Sequence, residues 1–379
     1  MSAAGRRVRV LFLLLSLEGR GAERVSLSLA SHFDRRRFEP VLWVLQPTND
    51  LQGEVPPDAA LHVALAPGER IRHRPLRVWG TLLREARRAD VILATVEFTP
   101  THLAYFAGLL TRRPVIGWVR NDLDRVLAEF PAWDNGLPRW VYRHLRQIVC
   151  VSRGIGVTLR NRYGLRGERL RVIYNPLDLP RIERLRDEPL PEWAAFMRVR
   201  PTVLGVGRVG HQKGFDLLIE AHARVRARGV EHDLLILGKG DDLEGLRALA
   251  RSLGVEESVH LPGYVPNPYP FMAHATVFAL SSRYEGFANV VTEALACGAP
   301  VVSFDCPSGP GEILEGGRYG VLVPPEDVPA LAGALGALLT DPARRERLRG
   351  EGRGRARDFA PEHIVPQWER VLLDTAEGR

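Results

Sequence analysis

Short apolar runs alternate along the chain with longer segments in which apolar residues recur every three or four positions. In the first half, seven such runs predict buried β-strands: VRVLFLL, PVLWVL, LHVAL, DVILAT, PVIGWV, QIVCVS and LRVIYN, starting at Val8, Pro40, Leu61, Asp90, Pro114, Gln147 and Leu170. The intervening segments, such as AERVSLSLASHF and LRVWGTLLREARRA, have the period of amphipathic helices. This alternation is typical of a doubly wound, mainly parallel α/β sheet.

The pattern breaks between Asn175 and Trp193, where proline and charge are concentrated without an apolar face. This stretch predicts an interdomain linker. Beyond it the alternation restarts with TVLGVG, HDLLILG, SVHLPG, TVFALSS, PVVSFD and GVLVP as strands. A chain of 379 residues exceeds the usual size of a single core, so we expect two doubly wound domains. After Pro361, the apolar positions of PEHIVPQWERVLL share one helical face, which predicts a terminal helix that packs back across the domain junction.

The first apolar run and the cysteines bear on the cellular compartment. VLFLLLSL, from Val10 to Leu17, follows three arginines but is far shorter than the ~20 residues that span a bilayer. No small-residue cleavage site follows it, so we interpret it as a buried strand and not as a signal peptide. Cys150, Cys297 and Cys306 form neither a disulfide framework nor a CxxC pair. Together these features predict a cytoplasmic protein.

The net charge of +7 is unevenly distributed. Residues 1–190 contain 31 arginines against 20 acidic residues, whereas residues 191–379 contain 21 basic against 25 acidic residues. The basic first half indicates an anionic partner, such as an acidic membrane, a phosphorylated acceptor or a nucleic acid. An arginine-rich solvated surface without such a partner is the alternative.

Gly205, Gly207 and Gly210 spell GxGxxG directly after a predicted strand. A dinucleotide-binding site needs the third glycine in the first turn of the helix, and an acidic residue at the end of the next strand. Here the helical pattern begins only near Phe215, and the next strand ends at Leu237 before Gly-Lys-Gly. A dehydrogenase is therefore not indicated.

The same loop carries two cations, Arg208 and Lys213, before a predicted helix. Helix N-termini favour anions, a guanidinium can bind a phosphate bidentately, and an ammonium supplies a compact charge. Lys213 and Lys239 are the only lysines in the chain, which favours a specific role for a lysine in this loop. The loop thus suits a diphosphate, with an ordinary basic surface loop as the alternative.

A second constellation starts at Ser281, in SSRYEGFANVVTEALACGAPVV. Glu285 lies in the loop and Glu293 in the helix that follows, eight residues later. Both can face the crevice at the carboxyl ends of the strands, where open α/β sheets bind ligands. Carboxylates accept hydrogen bonds from neighbouring hydroxyls, which suits a polyhydroxylated ligand. Glu293 on a solvated helix face is the alternative.

Several stretches together resemble glycosyltransferase family 4. GRVGHQKGFDLLIEA, ILGKGDDLEGLRALARSLG and YEGFANVVTEALACGAPVVSFDCPSGPGEIL are similar to its C-terminal domain, and LEGRGAERVSLSLA, CVSRGIGVTL and VIYNPLD to its N-terminal half. The resemblance implies a retaining enzyme of the GT-B fold, with two facing Rossmann-like domains. Residues 1–185 would form the acceptor-binding domain, together with the C-terminal helix 360–379, and residues 195–358 the nucleotide-sugar-binding domain.

The resemblance also implies a donor site in the second domain. Its catalytic residues would be Arg208, Lys213 and Glu285, of which the first two bind the donor diphosphate. Glu285, with the backbone of Gly286, Phe287 and Ala288, would hold the transferred sugar. Glu293 would bind the ribose, and Gly207 and Gly21 would lie near the diphosphate.

The candidate acceptor-binding residues are Arg120, Asn121 and Glu312, of which the resemblance implies that Glu312 lies near the acceptor or the donor sugar. This chain departs from the family in two places. Arg20 occupies the first position of a loop that usually reads Gly-Gly, which puts the close approach of that backbone in doubt. Many relatives also have a histidine after the strand that matches PVIGWV, whereas this chain has Arg120-Asn121. Arg120 could instead bind an anionic acceptor.

Asp122-Leu123-Asp124 spells DxD, the metal-binding signature of the other large glycosyltransferase fold. The tripeptide lies in the half assigned to the acceptor, away from Arg208. Because Arg208, Lys213 and a helix dipole can neutralise a leaving diphosphate, we expect neither a catalytic metal nor a cofactor.

The sequence thus predicts a metal-independent, retaining glycosyltransferase that uses a nucleotide sugar, expected to be UDP-linked. DCPSGPGEIL favours members that act on lipid-linked or surface polysaccharides, including transferases of N-acetylhexosamines. The basic first half fits a peripheral enzyme at the cytoplasmic face of an anionic membrane. The alternatives are a nucleotide-sugar epimerase or phosphorylase on the same fold, and a basic nucleic-acid-binding protein. No DNA-binding motif supports the last of these, so we expect no nucleic-acid partner.

Overall fold

The computed structural model describes residues 6–18, 21–47, 50–128, 136–165 and 167–378. These residues form two sheets of seven and six strands, with the orders β3-β2-β1-β4-β5-β6-β7 and β10-β9-β8-β11-β12-β13. The strands of the first sheet are β1 Val8–Leu14, β2 Phe38–Val44, β3 Ala60–Val63, β4 Val91–Ala94, β5 Val115–Val119, β6 Gln147–Cys150 and β7 Leu170–Val172. Those of the second are β8 Thr202–Val206, β9 Asp233–Leu237, β10 Val259–Gly263, β11 Val277–Leu280, β12 Val301–Phe304 and β13 Val321–Val323.

Every strand pairing within the described ranges is parallel. All thirteen predicted strands are present, and the fold class predicted from the alternation is confirmed. In each sheet the strand order reverses once, between β1 and β4 and between β8 and β11. Open parallel sheets bind ligands beyond the carboxyl ends of the strands at such a point.

Helices connect the strands and cover the sheets. In the first half they are α1 Gly21–His32, α2 Pro75–Arg88, α3 Thr99–Thr111, α4 Leu123–Ala128, α5 Gly136–His144 and α6 Arg153–Tyr163. In the second half they are α7 Leu179–Arg186, α8 Phe215–Arg226, α9 Leu243–Ser252, α10 Tyr269–His274, α11 Asn289–Cys297, α12 Pro310–Ile313, α13 Val328–Thr340, α14 Pro342–Ala356 and α15 Pro361–Ala376. Within the described part of the chain, no helix is both long and apolar enough to cross a membrane.

The chain divides into two compact units, residues 1–176 with 361–379 and residues 177–360. The second unit therefore begins at Leu177 and not at residue 195. The stretch predicted as a linker contains helix α7, whose N-terminus is capped by Asp178 and whose Ile182 is buried. The side chain of Asn267 donates to the carbonyl of Leu185 at 2.9 Å. One buried isoleucine and this hydrogen bond to the main chain attach α7 to the second unit, although the segment lacks a long apolar face.

The terminal helix α15 belongs to the first unit. The predicted apolar face is confirmed, since Ile364, Trp368, Val371 and Leu372 are buried. The ring of Trp368 lies 4.4 Å from that of Trp118 on β5, measured between ring centroids. Helix α15 thus packs into the core of the same unit that contains β1.

Several arginines of helix α14 bind main-chain carbonyls at the ends of other helices. Arg345 donates to the carbonyls of Leu338 and Leu339 at the end of α13, at 2.6 and 2.8 Å. Arg349 donates to the carbonyl of Gly298 after α11, and Arg355 to the carbonyl of Ile313 at the end of α12. These guanidiniums satisfy carbonyl groups that helix C-termini leave without intrahelical partners.

Candidate functional site

Two loops meet where the strand order of the second sheet reverses. One loop joins β8 to α8 and contains Arg208 and Lys213, and the other joins β11 to α11 and contains Glu285. Gly214, immediately before α8, has a φ of +59°, and a Cβ atom there would lie 2.2 Å from the carbonyl oxygen of Ser281. Only glycine fits this close approach between the loops.

Lys213 and Glu285 form an ion pair across the two loops. Lys213 Nζ lies 2.6 Å from Glu285 Oε1, and the side chains are 15% and 7% exposed. The hydroxyl of Ser282 donates to the same oxygen at 2.6 Å. Within the described ranges no side chain or backbone group donates to Glu285 Oε2. This oxygen can accept hydrogen bonds from a ligand, and the Lys213 ammonium has two further N–H groups to donate.

Arg208 lies in the same loop, and its side chain is exposed. Its guanidinium folds over Gly210, because a Cβ atom built on that glycine would lie 4.0 Å from Arg208 Nε and Nη2. The guanidinium forms no hydrogen bond or ion pair with another residue of the described chain. One exposed guanidinium and one half-buried ammonium therefore belong to the loop that leads into α8, whose N-terminus adds positive potential.

The second loop ends in a strained residue. Ala288 has a φ of +69° and precedes the first residue of α11. Such a conformation costs a non-glycine residue on the order of 1–3 kcal/mol and tends to occur at functional sites. Gly286, Phe287 and Ala288 are buried, and Glu293 lies half-buried one turn into α11. The helix N-terminus and the predicted sugar-binding backbone are therefore part of the same turn.

In the first unit, Arg120 follows β5 and is buried. Its Nε donates to the carbonyl of Thr95 and its Nη2 to Ser26 Oγ, each at 2.8 Å. The guanidinium lies 3.6 Å above the ring of Trp118. Burial lowers the pKa of Arg120 to about 9, whereas the nearby charges of Glu97 and Glu23 act to raise it. Since this pKa stays above neutral pH, Arg120 remains protonated there, within the electrostatic influence of two carboxylates.

Asn121 and Arg120 are held by one carboxylate. The backbone N–H groups of Arg120 and Asn121 donate to Glu97 Oε1 at 2.5 and 2.7 Å. Arg120 Nη1 is buried and lacks a hydrogen-bond partner within the described ranges. Gly21 is the first residue of α1, and Arg20 lies outside the described residues. These residues follow β1, β4 and β5, around the reversal point of the first sheet.

The DxD tripeptide has structural partners. Asp122 Oδ1 accepts from the backbone N–H of Asp124 at 3.0 Å, at the start of α4. Asp124 pairs with Arg162 at 3.1 Å and with Arg139 at 3.7 Å. Within the described ranges, no cluster of three or more His, Cys, Asp or Glu residues could hold a metal ion.

Glu312 belongs to the second unit, on the four-residue helix α12. Its carbonyl accepts from Arg355 Nη2 at 2.9 Å. Glu312 therefore lies in the unit that contains Lys213 and Glu285, and not in the unit of Arg120 and Asn121.

Comparison with known proteins identifies the family. Residues 19–181 match the family described as Glycosyltransferase Family 4, and residues 200–341 match Glycosyl transferases group 1. A Campylobacter jejuni enzyme, N-acetylgalactosamine-N,N'-diacetylbacillosaminyl-diphospho-undecaprenol 4-alpha-N-acetylgalactosaminyltransferase, is 30% identical over 260 residues, which cover 69% of this chain and 67% of that enzyme. The chain belongs to glycosyltransferase family 4.

Other relatives of this family 4 glycosyltransferase agree with the assignment. The lipopolysaccharide core biosynthesis glycosyltransferase LpsE of Rhizobium meliloti is 34% identical over 235 residues, covering 62% of this chain and 64% of LpsE. The crystal structure of Anabaena HepE in complex with UDP-glucose superposes with a TM-score of 0.80 over 98% of this chain and all of HepE, at 20% identity. That likeness establishes the GT-B fold.

The structure of this glycosyltransferase also reveals a residue of the site that its sequence did not indicate. Arg283 donates from its side chain and its backbone to the loop that contains Lys213. One arginine among 50 carries no sequence signal that would single it out.

Proposed function

We propose that this chain transfers a sugar from a UDP-linked donor to a glycan or lipid-linked saccharide acceptor, with retention at the anomeric carbon and without a catalytic metal. The donor would bind in the second unit and the acceptor in the first. The observation that carries the proposal is the Lys213–Glu285 pair, 2.6 Å apart at the reversal point of the second sheet, in which Lys213 shares its loop with the exposed Arg208.

The charges of this site suit the chemistry of the donor. A nucleoside diphosphate leaves with developing negative charge, which Arg208, Lys213 and the N-terminus of α8 can neutralise in place of a divalent ion. Glu285 Oε2 can accept hydrogen bonds from sugar hydroxyls while Oε1 stays with Lys213 and Ser282. In a retaining reaction the acceptor hydroxyl attacks the same face of the sugar from which the diphosphate departs. The leaving phosphate oxygen can therefore take the proton of that hydroxyl.

The relatives support the acceptor class. The name of the Campylobacter enzyme specifies a diphospho-undecaprenol substrate, and that of LpsE specifies lipopolysaccharide core biosynthesis. The Anabaena protein was crystallised with UDP-glucose. Since the matched regions span about two thirds of the two curated relatives, we assign this chain only the shared class: a UDP-sugar as donor and a saccharide on a lipid or a growing glycan as acceptor.

A thermal-shift panel tests the donor assignment. UDP-, GDP-, ADP- and CMP-sugars and NAD would be compared on the wild-type protein and on Lys213→Ala and Glu285→Ala. We expect UDP-sugars to raise the melting temperature of the wild type, and the variants to lose the response. Stabilisation by NAD alone would refute the proposal. Conversion of a UDP-sugar without acceptor would instead indicate an epimerase, and dependence on inorganic phosphate a phosphorylase.

Product analysis tests the remaining parts. With a UDP-sugar that binds and a saccharide-diphosphate lipid as acceptor, NMR of the product should show the anomeric configuration of the donor. Activity should persist in excess EDTA. An inverted product or complete loss of turnover in EDTA would refute retention or metal independence, respectively.

The proposal includes reversible association with an anionic membrane through the first unit. Leu110, near the end of α3, is 67% exposed, and Trp140, in the middle of α5, is 44% exposed. Tyr105 of α3 contacts Trp140 with ring centroids 5.4 Å apart. The exposed cations Arg112 and Arg143 follow Leu110 and Trp140 along the chain. Exposed tryptophan and leucine beside arginines suit a membrane interface that carries negative charge.

Vesicle flotation tests this association. The protein should float with phosphatidylcholine vesicles that contain phosphatidylglycerol and remain unbound with phosphatidylcholine alone. Leu110→Ser with Trp140→Ser should abolish flotation, whereas Leu253→Ser, at a 40% exposed leucine of the second unit, should not affect it. Flotation that is independent of anionic lipid would contradict this part of the proposal.

A further inference from the structure

Arg283 connects the two loops of the donor site. It lies between Ser282 and Tyr284, two residues before Glu285, and only 11% of its side-chain surface is exposed. Its Nη1 donates to the carbonyl of His211 at 2.8 Å, and its backbone N–H donates to the carbonyl of Gln212 at 2.8 Å. These two carbonyls belong to the residues immediately before Lys213. Arg283 therefore fixes the main chain that carries the site's ammonium group.

The guanidinium is itself held by two carboxylates. Nη1 and Nη2 donate to the two oxygens of Asp216 at 3.0 and 2.6 Å, and Nε donates to Glu326 at 3.1 Å. Partial burial acts to raise the pKa of Asp216, but the hydrogen bonds and charge of Arg283 outweigh it and hold the pKa below its usual value. Asp216 lies in the first turn of α8. Arg283 thus ties the 207–214 loop to the start of the helix that follows it.

Two other hydrogen bonds join the same two loops, and each loop donates one of them. Gln212 Nε2 donates to the carbonyl of Tyr284 at 3.1 Å, and Ser281 Oγ donates to the carbonyl of Lys213 at 2.9 Å. Among the described residues, however, only Arg283 contacts the 207–214 loop, the start of α8 and Glu326 at once. With four of its five N–H groups already donated to protein, it has little capacity left to bind a phosphate.

We propose that Arg283 is a positioning residue of the donor site, which holds Lys213 against Glu285 by fixing the carbonyls of His211 and Gln212. The functional part of this inference rests on the proposed UDP-sugar transfer. Loss of Arg283 should lower the affinity for the donor and the rate of its reaction, because a displacement of about 1 Å in a charged group near a reacting centre can cost about a hundredfold in rate.

Hydrogen–deuterium exchange tests the structural part without any ligand. In Arg283→Gln and in Asp216→Asn, peptides that contain residues 207–214 should exchange faster than in the wild type. Arg345→Gln is the matched control, because Arg345 also donates to two main-chain carbonyls, at the end of α13, and belongs to neither loop. Unchanged exchange in the 207–214 loop of both test variants would overturn the inference whatever their activity.

Calorimetric titration with UDP and steady-state kinetics with the best UDP-sugar test the functional part. Arg283→Gln should weaken UDP binding and raise the donor KM by about tenfold or more, with the acceptor KM unchanged, and Arg283→Lys should recover part of the loss. Adding Asp216→Asn to Arg283→Gln should cause little further loss, because the two residues act as one unit. Arg345→Gln should keep the wild-type donor KM.

The outcomes separate the two proposals. If the wild type binds none of the UDP-sugars, the proposed function fails while the exchange data still decide the role of Arg283 in the loop. If the wild type transfers sugar but Arg283→Gln keeps its donor KM and kcat despite faster exchange, the positioning role is overturned. If Arg283→Gln does not fold, Arg283→Lys and Asp216→Asn supply the same comparison.

Discussion

Lys213→Met should lower both the stability of the second unit and the activity of the protein, and a second substitution should restore only the stability. The substitution keeps most of the side-chain volume but removes the ammonium 2.6 Å from Glu285 Oε1. The carboxylate is 7% exposed and would retain only the hydroxyl of Ser282 as a donor. Removal of one partner from a buried ion pair costs about 3–5 kcal/mol, and the partial exposure of Lys213 favours the lower end.

Calorimetry of the ligand-free protein measures this cost. For a unit of this size, about 3 kcal/mol corresponds to a melting temperature lower by about 6–12 °C. The double variant Lys213→Met/Glu285→Gln should regain part of that loss, because no unpaired charge stays buried. A Lys213→Met protein that melts within about 2 °C of the wild type would refute the assignment of a coupled buried pair.

Activity should behave differently from stability in the same series. The single and double variants should both lose about 10²–10³-fold in kcat, because both lack the charge that, in the proposed reaction, would neutralise the leaving diphosphate. If the double variant regains stability and activity together, Lys213 would have a structural role only. Arg345→Gln again serves as a control for destabilisation outside the loops.

Three further predictions concern the fold. Gly214→Ala should destabilise the second unit in urea unfolding far more than Gly229→Ala: both sites have positive φ, but the new Cβ would lie 2.2 Å from the carbonyl of Ser281 in the first and in open space in the second. Burial lowers the pKa of His222, which contacts His232 at 2.8 Å, from 6.5 to about 3. The unfolded chain therefore binds a proton that the folded chain does not, and the free energy of unfolding should fall below pH 6.5 by about 1.4 kcal/mol per pH unit, less steeply in His222→Gln. The three cysteines are buried, so a thiol reagent should label them after denaturation but hardly in the native protein.

The positions of the central strands, such as β4, β5 and β11, followed from the sequence because these strands are buried along their whole length and are therefore nearly continuous in apolar residues. The segment from Asn175 to Trp193 was harder to interpret. Helix α7 within it is anchored by one buried isoleucine and by main-chain contacts, and neither produces a periodic pattern. Hydrophobic periodicity detects helices that cover a core with several residues, and it fails for those held by few contacts.

The sequence predicted the charged residues of the candidate site but not the hydrogen bonds that hold its two loops together. Spacing and the family resemblance both singled out Lys213 and Glu285, and the structure brings their side chains together. The role of Arg283 depends on two carbonyl oxygens, and main-chain atoms carry no sequence signature. Arg120 was expected to be available to an anion, but its guanidinium is buried on Trp118 with Glu97 and Glu23 nearby.

The membership of α15 in the first unit has a consequence for biosynthesis. The polypeptide emerges from the ribosome amino end first, so β5 and Trp118 are complete long before Trp368 is made. Until then the apolar surface that Trp368 covers has no native partner, whereas every strand of the second unit has already been synthesised. The second unit can therefore complete its core before α15 is available to the first unit. The unit whose synthesis starts first can thus be the one that finishes folding last.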